Sequence, residues 1–595
     1  MIGLVGIFAN EKHMHSRERE SVIKRTLLDT ADFTLTTVSM KNVTMGLIQR
    51  SWRKNKDLSL KQMGDVMIGF SGYGKFSGEK KLYWAEEMIE RIFPVVLQKS
   101  LNVLTSIEGS FQCIIITNDE YIIISDRFGS KSFYISINDK NVLFAPNVTS
   151  IMNTGLIKKE KNIKAAKQVL ISGFFLDDST LVKGVIRFPP ATIFKGRIEE
   201  LNTVNRIKYW EMPKKEGQID TLDEDVISAF KEKIQNSIYE CHELEPNSAV
   251  PLSGGLDSRA IACFLARKQK INTITYDFGD ESTIADKVSK ALGGDATFFK
   301  KKMIQSEKFR KEFTFIVQNQ YYHCVPNQYF YVTLFRKYFI ENPSIMAIYD
   351  GIYLDSLFNP AYVMSSFDIN RFISIYGSSI KGLLLSYPDT LLENDVNDEM
   401  LQIYYSNLKG FENSDGVAKS QLLYMAGRLR RYVSESFVSR ENYCYVFKPG
   451  FNYELMDFGF NLSLRLRKGL LYTTLLSKEF PDIMKIIFKD SRGNRKKTII
   501  DKIEQFYSEY RLKISYASQG LFKYYPYQAD YYFLREKGIE EFEDIFKKHN
   551  YIKEIVNNNQ LAEIYEKTKR KQYLLNRLCR ILFIQHFYHK NLFSE

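Results

Sequence analysis

The chain has 595 residues, of which 44% are hydrophobic and 26% charged, and a formal net charge of +13. That is too long for one ordinary core and has the balance of a folded globular chain, so two or more domains are expected. No run approaches the roughly eighteen apolar residues of a membrane span, and the apolar start (residues 1–9) is too short for a signal peptide and lacks a basic lead-in. Six scattered cysteines, with no C-x-x-C pair and no zinc-like histidine spacing, fit reduced thiols. A cytoplasmic protein is therefore expected. Its positive charge is dispersed. The densest run, residues 567–571, precedes an apolar helical pattern and reads as a solvated helix face about as well as a binding stripe. Nucleic acid is not expected as a partner.

Residues 1 to about 210 read as short β-branched or aromatic strands at 2–8, 66–70, 111–117, 121–125 and 133–137, separated by polar turns such as Asn118-Asp119-Glu120. One helix, 81–98, interrupts them. The polar stretch 212–218, with Pro213, reads as a linker, so the expected domains are 1–212 and 213–595. Beyond it Val226, Phe230, Ile234 and Ile238 fall at helical spacing. Then come a strand (249–252), a helix (260–267), a strand (272–278), a helix (283–292), a helical region and a strand (345–349). This alternation predicts a parallel sheet covered by helices, with ligands beyond the carboxyl ends of its strands. Residues 365–595 read as mainly helical. Aromatic clusters at 321–322, 329–331 and 524–527 suit core packing better than a cavity lining.

The most informative segment is Leu252-Ser253-Gly254-Gly255-Leu256-Asp257-Ser258-Arg259, where an apolar strand runs through two glycines into a helix. Glycines permit close backbone approach to a ligand, and free N–H groups opening a helix donate to phosphate oxygens. Asp257, one turn inside, stands where a carboxylate can hold the Mg²⁺ that travels with a nucleotide. A tight turn without a ligand is the plainer alternative. The segment lacks the lysine of G-x-x-x-x-G-K-[ST]. It resembles instead the PP-loop of ATP pyrophosphatases, which cut ATP between its α- and β-phosphates.

Further segments resemble one family, the glutamine-dependent (class B) asparagine synthetases. Residues 1–8 are similar to its start, M-C-G-I-V-G-I-F, and residues 125–134 to its D-R-x-G-x-K-P-L-Y-Y; Phe188-Pro189-Pro190-Ala191 and Tyr209-Trp210 look like the end of that domain. Residues 350–358 resemble G-E-G-x-D-E-L-F, and residues 449–458 resemble P-F-L-D-x-x-L-V-E-F. The resemblance implies an N-terminal glutaminase-like Ntn-hydrolase αββα sandwich. It also implies a C-terminal PP-loop ATP-pyrophosphatase domain, a parallel sheet with a helical extension. ATP and Mg²⁺ follow as cofactors, with Asp257 and Asp355 as the metal carboxylates. Leu252, Ser253, Gly254, Gly255 and Ser258 would cradle the phosphates, Tyr276 and Asp277 would read adenine, and Gly351 would be a close-approach glycine. Where the β-lactam synthetase type has a tyrosine acting as base, Ile352 stands. The adjacent Tyr353 is a candidate, and the base is left open. Lys468 and Arg467 are candidates to stabilise charge on the acyl-adenylate, and either is equally readable as surface charge. The paired Arg430-Arg431 is a weaker one.

The departures matter more. The family's nucleophilic cysteine is replaced by Ile2, which has no nucleophile, and its N-G-E segment by Ser71-Gly72-Tyr73. A catalytically dead amidotransferase-like domain is expected, with packing as its role. Relatives without this cysteine include β-lactam synthetase and the lasso-peptide cyclases, which join a carboxylate to an amine of the same substrate. The expectation is therefore a macrolactam synthetase. It would adenylate an Asp or Glu side chain of a linear core peptide, whose N-terminal amine then closes an isopeptide ring. A leader peptidase and a precursor-recognition protein would be its pathway partners. A β-lactam- or ammonia-using amide ligase, a nucleic-acid-directed PP-loop protein and an inactive nucleotide-binding protein stay as alternatives.

Overall fold

The computed structural model describes residues 2–9, 14–28, 32–53, 55–277, 280–300, 327–360, 362–369, 372, 394–434 and 440–486, with isolated positions between 551 and 592. Residues 3–208 build two antiparallel sheets. The first has six strands in the order Ile186–Arg187, Tyr134–Ile137, Asn141–Ala145, Gly3–Ala9, Val43–Arg50, Phe33–Met40. The second runs Glu200–Lys208, Thr192–Arg197, Glu120–Ser125, Ile107–Ile116, Val66–Phe76, Leu58–Met63, with Tyr83–Trp84 paired to Val66–Phe76.

The two-residue period of a strand sorts side chains into layers. Ile114, Ile116, Tyr121 and Ile123 meet Leu4, Phe8 and Met45 of the other sheet. Their neighbours Cys113, Ile115, Ile122 and Ile124 meet Met88, Ile89 and Ile92 of the helix Ala85–Leu97. On the far face of the first sheet, Val5 and Ile7 pack with the helices Ser16–Lys24, Val148–Asn153 and Ile163–Ser172. The result is four layers, helix–sheet–sheet–helix. Each of the five predicted strands coincides with, or overlaps most of, an observed one. The predicted helix at 81 begins only at Ala85, because Tyr83 and Trp84 pair with Gly74 and Tyr73. Phe33–Met40 and Leu58–Met63 escaped prediction because both are half-exposed edge strands with little apolar alternation.

After residue 212 the sheet is parallel, in the order Asp295–Lys300, Asn272–Asp277, Ser248–Pro251, Ala347–Tyr349, Tyr445–Phe447. Tyr445–Phe447 is three residues long inside a helical region, too short to register as a run. Successive strands build leftward from Ser248–Pro251, then jump to its right. That reversal opens a crevice between the carboxyl ends of Ser248–Pro251 and Ala347–Tyr349, the place where ligands bind in open α/β sheets. The described part beyond residue 394 is otherwise helical, and includes a π-helix, Leu423–Val433. Residues 321–322, 524–527 and 567–571 lie outside the described residues.

The two domains share one apolar core. Phe128 packs on Tyr353 (ring centroids 4.7 Å apart) and Phe451 (5.7 Å), and Trp84 on Tyr445 (4.5 Å). Ile581, Ile584, Phe587, Tyr588 and Leu592 return to the N-terminal domain and pack with its outer helices. A buried ion cluster joins the halves as well. Arg430 and Arg431, from the π-helix, reach Asp178 at 2.5 and 3.2 Å. Burial alone would raise the Asp178 carboxyl; the two guanidiniums outweigh it and hold it at about 2. Its stabilising contribution is therefore present above the ordinary carboxylate pKa and lost as pH falls toward 2. Asp178→Ala leaves two buried guanidiniums without their anion, and is expected to destabilise the protein by about 3 kcal/mol or more at neutral pH. Denaturant unfolding at pH 7 checks this, and an unchanged midpoint would refute it.

Candidate active site

The loop after Ser248–Pro251 is tied by its own serines. Ser253 N–H donates to Ser258 Oγ at 3.1 Å, the two hydroxyls lie 2.9 Å apart, and Gly255 N–H donates to Ser253 Oγ at 3.2 Å. Leu252 anchors the loop, its N–H donating to Ile274 O at 2.9 Å. Neither Gly254 nor Gly255 has a left-handed φ, so the glycines are not needed for the turn. A Cβ on Gly255 would meet only Ser253 Oγ, at 3.4 Å. The space above the loop is open, which suits a bound group rather than a packed side chain.

Asp257 lies in the first turn of Leu256–Ala266, and Asp355 in the first turn of Leu354–Phe358, which follows the next strand of the sheet. Gly351 brings these pieces together: a Cβ on it would stand 3.0 Å from Asp257 Cβ. Burial first, and the charge of Asp355 second, push Asp257 up to about 8; burial raises Asp355 as well. Asp355 Oδ1 accepts from Ser356 N–H at 2.6 Å and Ser356 Oγ at 3.0 Å. Asp257 Oδ1 is buried with no hydrogen-bond partner. Tyr472 faces Asp257 closely enough to acidify it, but outside hydrogen-bond geometry.

Two adjacent half-buried carboxylates, one with a buried and orphaned oxygen, form a site that a divalent cation would complete. Among the described residues no group of three or more His, Cys, Asp or Glu side chains is arranged to hold a metal. The donor set thus fits Mg²⁺, which takes one or two carboxylates and completes its shell with water and substrate phosphates. Tyr276 and Asp277 end the neighbouring strand.

The other candidates are placed differently. The Tyr353 ring is wedged between Phe128 and Phe451 (4.6 Å) at the domain interface, with φ at +73°, and burial raises its phenol well above the ordinary range. Such a phenol keeps its proton and is a poor base. Arg467 is buried, not surface charge. It donates to Leu357 O (2.6 Å), Ser356 O (2.9 Å) and Gln421 Oε1 (3.0 Å), so it ties down the carboxyl end of the helix that carries Asp355. Burial lowers it to about 10, and it stays charged. Lys468 is exposed just beyond it. Tyr472 and Tyr424 were missed: both feel the charge of Asp355, and nothing distinguishes them among 37 tyrosines. Asp350 was missed too; burial raises it to about 6, against the pull of Arg440 at 3.8 Å.

In the N-terminal domain, Ile2 N–H donates to Asn442 Oδ1 at 3.0 Å. The cavity beside it, lined by Ile2, Ser71, Gln112, Lys131 and Glu441 among others, is about 20 Å³, room for one water. Tyr73 crosses the interface, accepting from Lys448 N–H at 3.1 Å.

Residues 81–210 match the family model described as "Glutamine amidotransferase domain", and residues 229–311 the one described as "Asparagine synthase". Among curated proteins, the chain is similar to "Asparagine synthetase [glutamine-hydrolyzing] 2" of Bacillus subtilis, 26% identical over 191 residues, 30% of this chain and 25% of that protein. It is also similar to "Amidase chry2" of Gibberella zeae, 23% identical over 219 residues, 33% of this chain and 32% of that protein. The matches span a quarter to a third of these relatives' length. A solved glutamine phosphoribosylpyrophosphate amidotransferase from B. subtilis aligns over 50% of this chain and 90% of that one, at 8% identity and a TM-score of 0.24, too loose to argue from. The chain is therefore similar to a glutamine amidotransferase domain over residues 81–210 and, after it, to an asparagine synthase domain over residues 229–311.

The raised Asp257 gives a pH signature. Between the ordinary carboxylate pKa and about 8 the folded state binds more protons than the unfolded state, so stability falls as pH rises through that window. Asp257→Asn removes the penalty. It should raise the melting temperature by on the order of a few degrees at pH 8 and leave it unchanged near pH 4. A lower melting temperature at pH 8 would show that the carboxylate is stabilising instead.

Proposed function

We propose that this chain is an ATP-dependent amide-bond-forming ligase that activates a carboxylate as its AMP ester and works without hydrolysing glutamine. The observation that carries the reading is the converging Asp257–Asp355 pair at the sheet's reversal point, with the orphaned Asp257 Oδ1 beside the glycine loop. A carboxylate is a poor acyl donor. Its oxygen attacks the α-phosphorus of ATP, the α–β bond breaks and pyrophosphate leaves; an amine then attacks the acyl carbon and AMP departs. The free N–H groups opening Leu256–Ala266, with Ser253 and Ser258, would hold phosphate oxygens in line. Magnesium, held by Asp257 and Asp355, would neutralise pyrophosphate charge. Arg467 keeps Asp355 in place through its helix, and Lys468 is the remaining candidate to meet charge on the adenylate.

The N-terminal domain supports an amine drawn from elsewhere than glutamine. Its second residue is Ile2, and the adjoining cavity holds about one water. Within this class the reading is a macrolactam synthetase of the lasso-peptide cyclase type, the amine being the N-terminus of the same linear peptide. A leader peptidase and a precursor-recognition protein would supply that peptide. A ligase using free ammonia is the second reading, favoured by the similarity to an asparagine synthetase.

Protein supplied with ATP, Mg²⁺ and a linear peptide bearing Asp or Glu should give AMP and pyrophosphate in equal amounts and a product one water lighter. Asp257→Ala should cut ATP–pyrophosphate exchange by on the order of 100-fold or more. Mass spectrometry and radiolabelled pyrophosphate read both. Release of ADP and phosphate, or conversion of glutamine to glutamate, would overturn the reading, whereas product formed from aspartate and ammonia would favour the second one.

A further inference from the structure

The loop before Tyr445–Phe447 is gripped on one side by the N-terminal domain. Arg50 is fully buried and fixed by a two-pronged pair with Asp57, at 3.0 Å on each oxygen. Its guanidinium then donates to three carbonyls of that loop, Glu441 O (2.6 Å), Asn442 O (3.2 Å) and Cys444 O (3.5 Å), and lies over the Tyr445 ring. Arg53 adds a bond to Tyr443 O at 3.2 Å, Ile2 N–H takes the Asn442 side chain, and Lys131 reaches Glu441 at 3.1 Å. On its other side the loop meets the synthetase site. Arg440 lies 3.8 Å from Asp350, and Phe447 O accepts from Asp350 N–H at 2.8 Å. Asp350 opens the turn of Gly351 and the helix of Asp355, and its Oδ1 accepts from Ile352 N–H at 2.8 Å.

We propose that Arg50 is a positioning residue for the synthetase site: by gripping the carbonyls of Glu441, Asn442 and Cys444 it sets Arg440 and Phe447 against Asp350, and so fixes the turn that presents Asp355. The N-terminal domain then contributes to the second domain's chemistry without any chemistry of its own. A planar, always-charged fork suits this task, since it orients several acceptors at once where an ammonium would hold one. Loops carrying catalytic groups tolerate little displacement, because misplacement of about 1 Å costs on the order of 100-fold in rate. The consequence for catalysis rests on the function proposed above; the mechanical link does not.

The test uses the full chain. Arg50→Lys keeps a charge beside Asp57 but loses the fork, and Arg440→Gln breaks the link further along. Hydrogen exchange of the ligand-free protein, followed by mass spectrometry, should show about tenfold faster exchange at residues 350–358 in each variant, with the strand Ile107–Ile116 unchanged. The double variant should be no worse than the singles, since both act on one chain of contacts. In ATP–pyrophosphate exchange each variant should lose about tenfold in kcat, with KM for ATP held within about twofold. Unchanged protection at 350–358 in Arg50→Lys, or effects that add in the double variant, would overturn the proposal. If Arg50→Lys does not fold, Arg440→Gln alone decides, and unaltered exchange at 350–358 sinks the idea. Wild-type protein that gives no ATP–pyrophosphate exchange defeats the proposed function and leaves the hydrogen-exchange result standing.

Discussion

Two half-buried carboxylates, Asp257 and Asp355, are brought together in one corner of the fold. Burial first, and the like charge of Asp355 second, penalise ionisation there, so the Asp257 carboxyl is raised well above its ordinary range. The fold tolerates this because each carboxylate stands in the first turn of a helix, and because Gly351 lets one helix start approach the other. Strand order, the serine-tied loop and the placement of Arg467 together hold that pair in place.

How much of this is written in the sequence depends on the range of the interaction. The strand Ser248–Pro251, its glycine loop and Asp257 are local and were readable from eight consecutive residues. The αββα layering was legible from the family's motifs, and five of the first domain's strands from apolar runs. The half-exposed edge strands Phe33–Met40 and Leu58–Met63 were not, and neither were the buried strands Val43–Arg50 and Asn141–Ala145. Tyr353 illustrates the other limit. Adjacent to the right aspartate in sequence, it is turned by a left-handed backbone into the interface with Phe128 and Phe451. Arg467 was singled out for its charge, whereas its role comes from carbonyls 110 positions away. Tyr472 and Tyr424 reach the site only through tertiary packing, and no spacing announces them; Asp350 stood inside the 350–358 segment but was not singled out.

The N-terminal domain has been absorbed rather than discarded. The N–H of Ile2 bonds to Asn442 of the second domain, and Tyr73 reaches across to Lys448. Phe128, Trp84 and Tyr73 belong to the same apolar cluster as the synthetase helices. A core held in common cannot be divided without exposing aromatic surface on both sides, so the halves are expected to unfold together.

The membership of Ile581, Ile584, Phe587, Tyr588 and Leu592 in an apolar cluster of the first domain has an effect during synthesis. The ribosome finishes the sheets of that domain early, but these five side chains emerge only after the second domain has been made. Until then a greasy patch stays bare on an otherwise assembled sandwich. A nascent or nicked polypeptide lacking this strap would be the form most prone to stick to its neighbours, and chaperones would find it there.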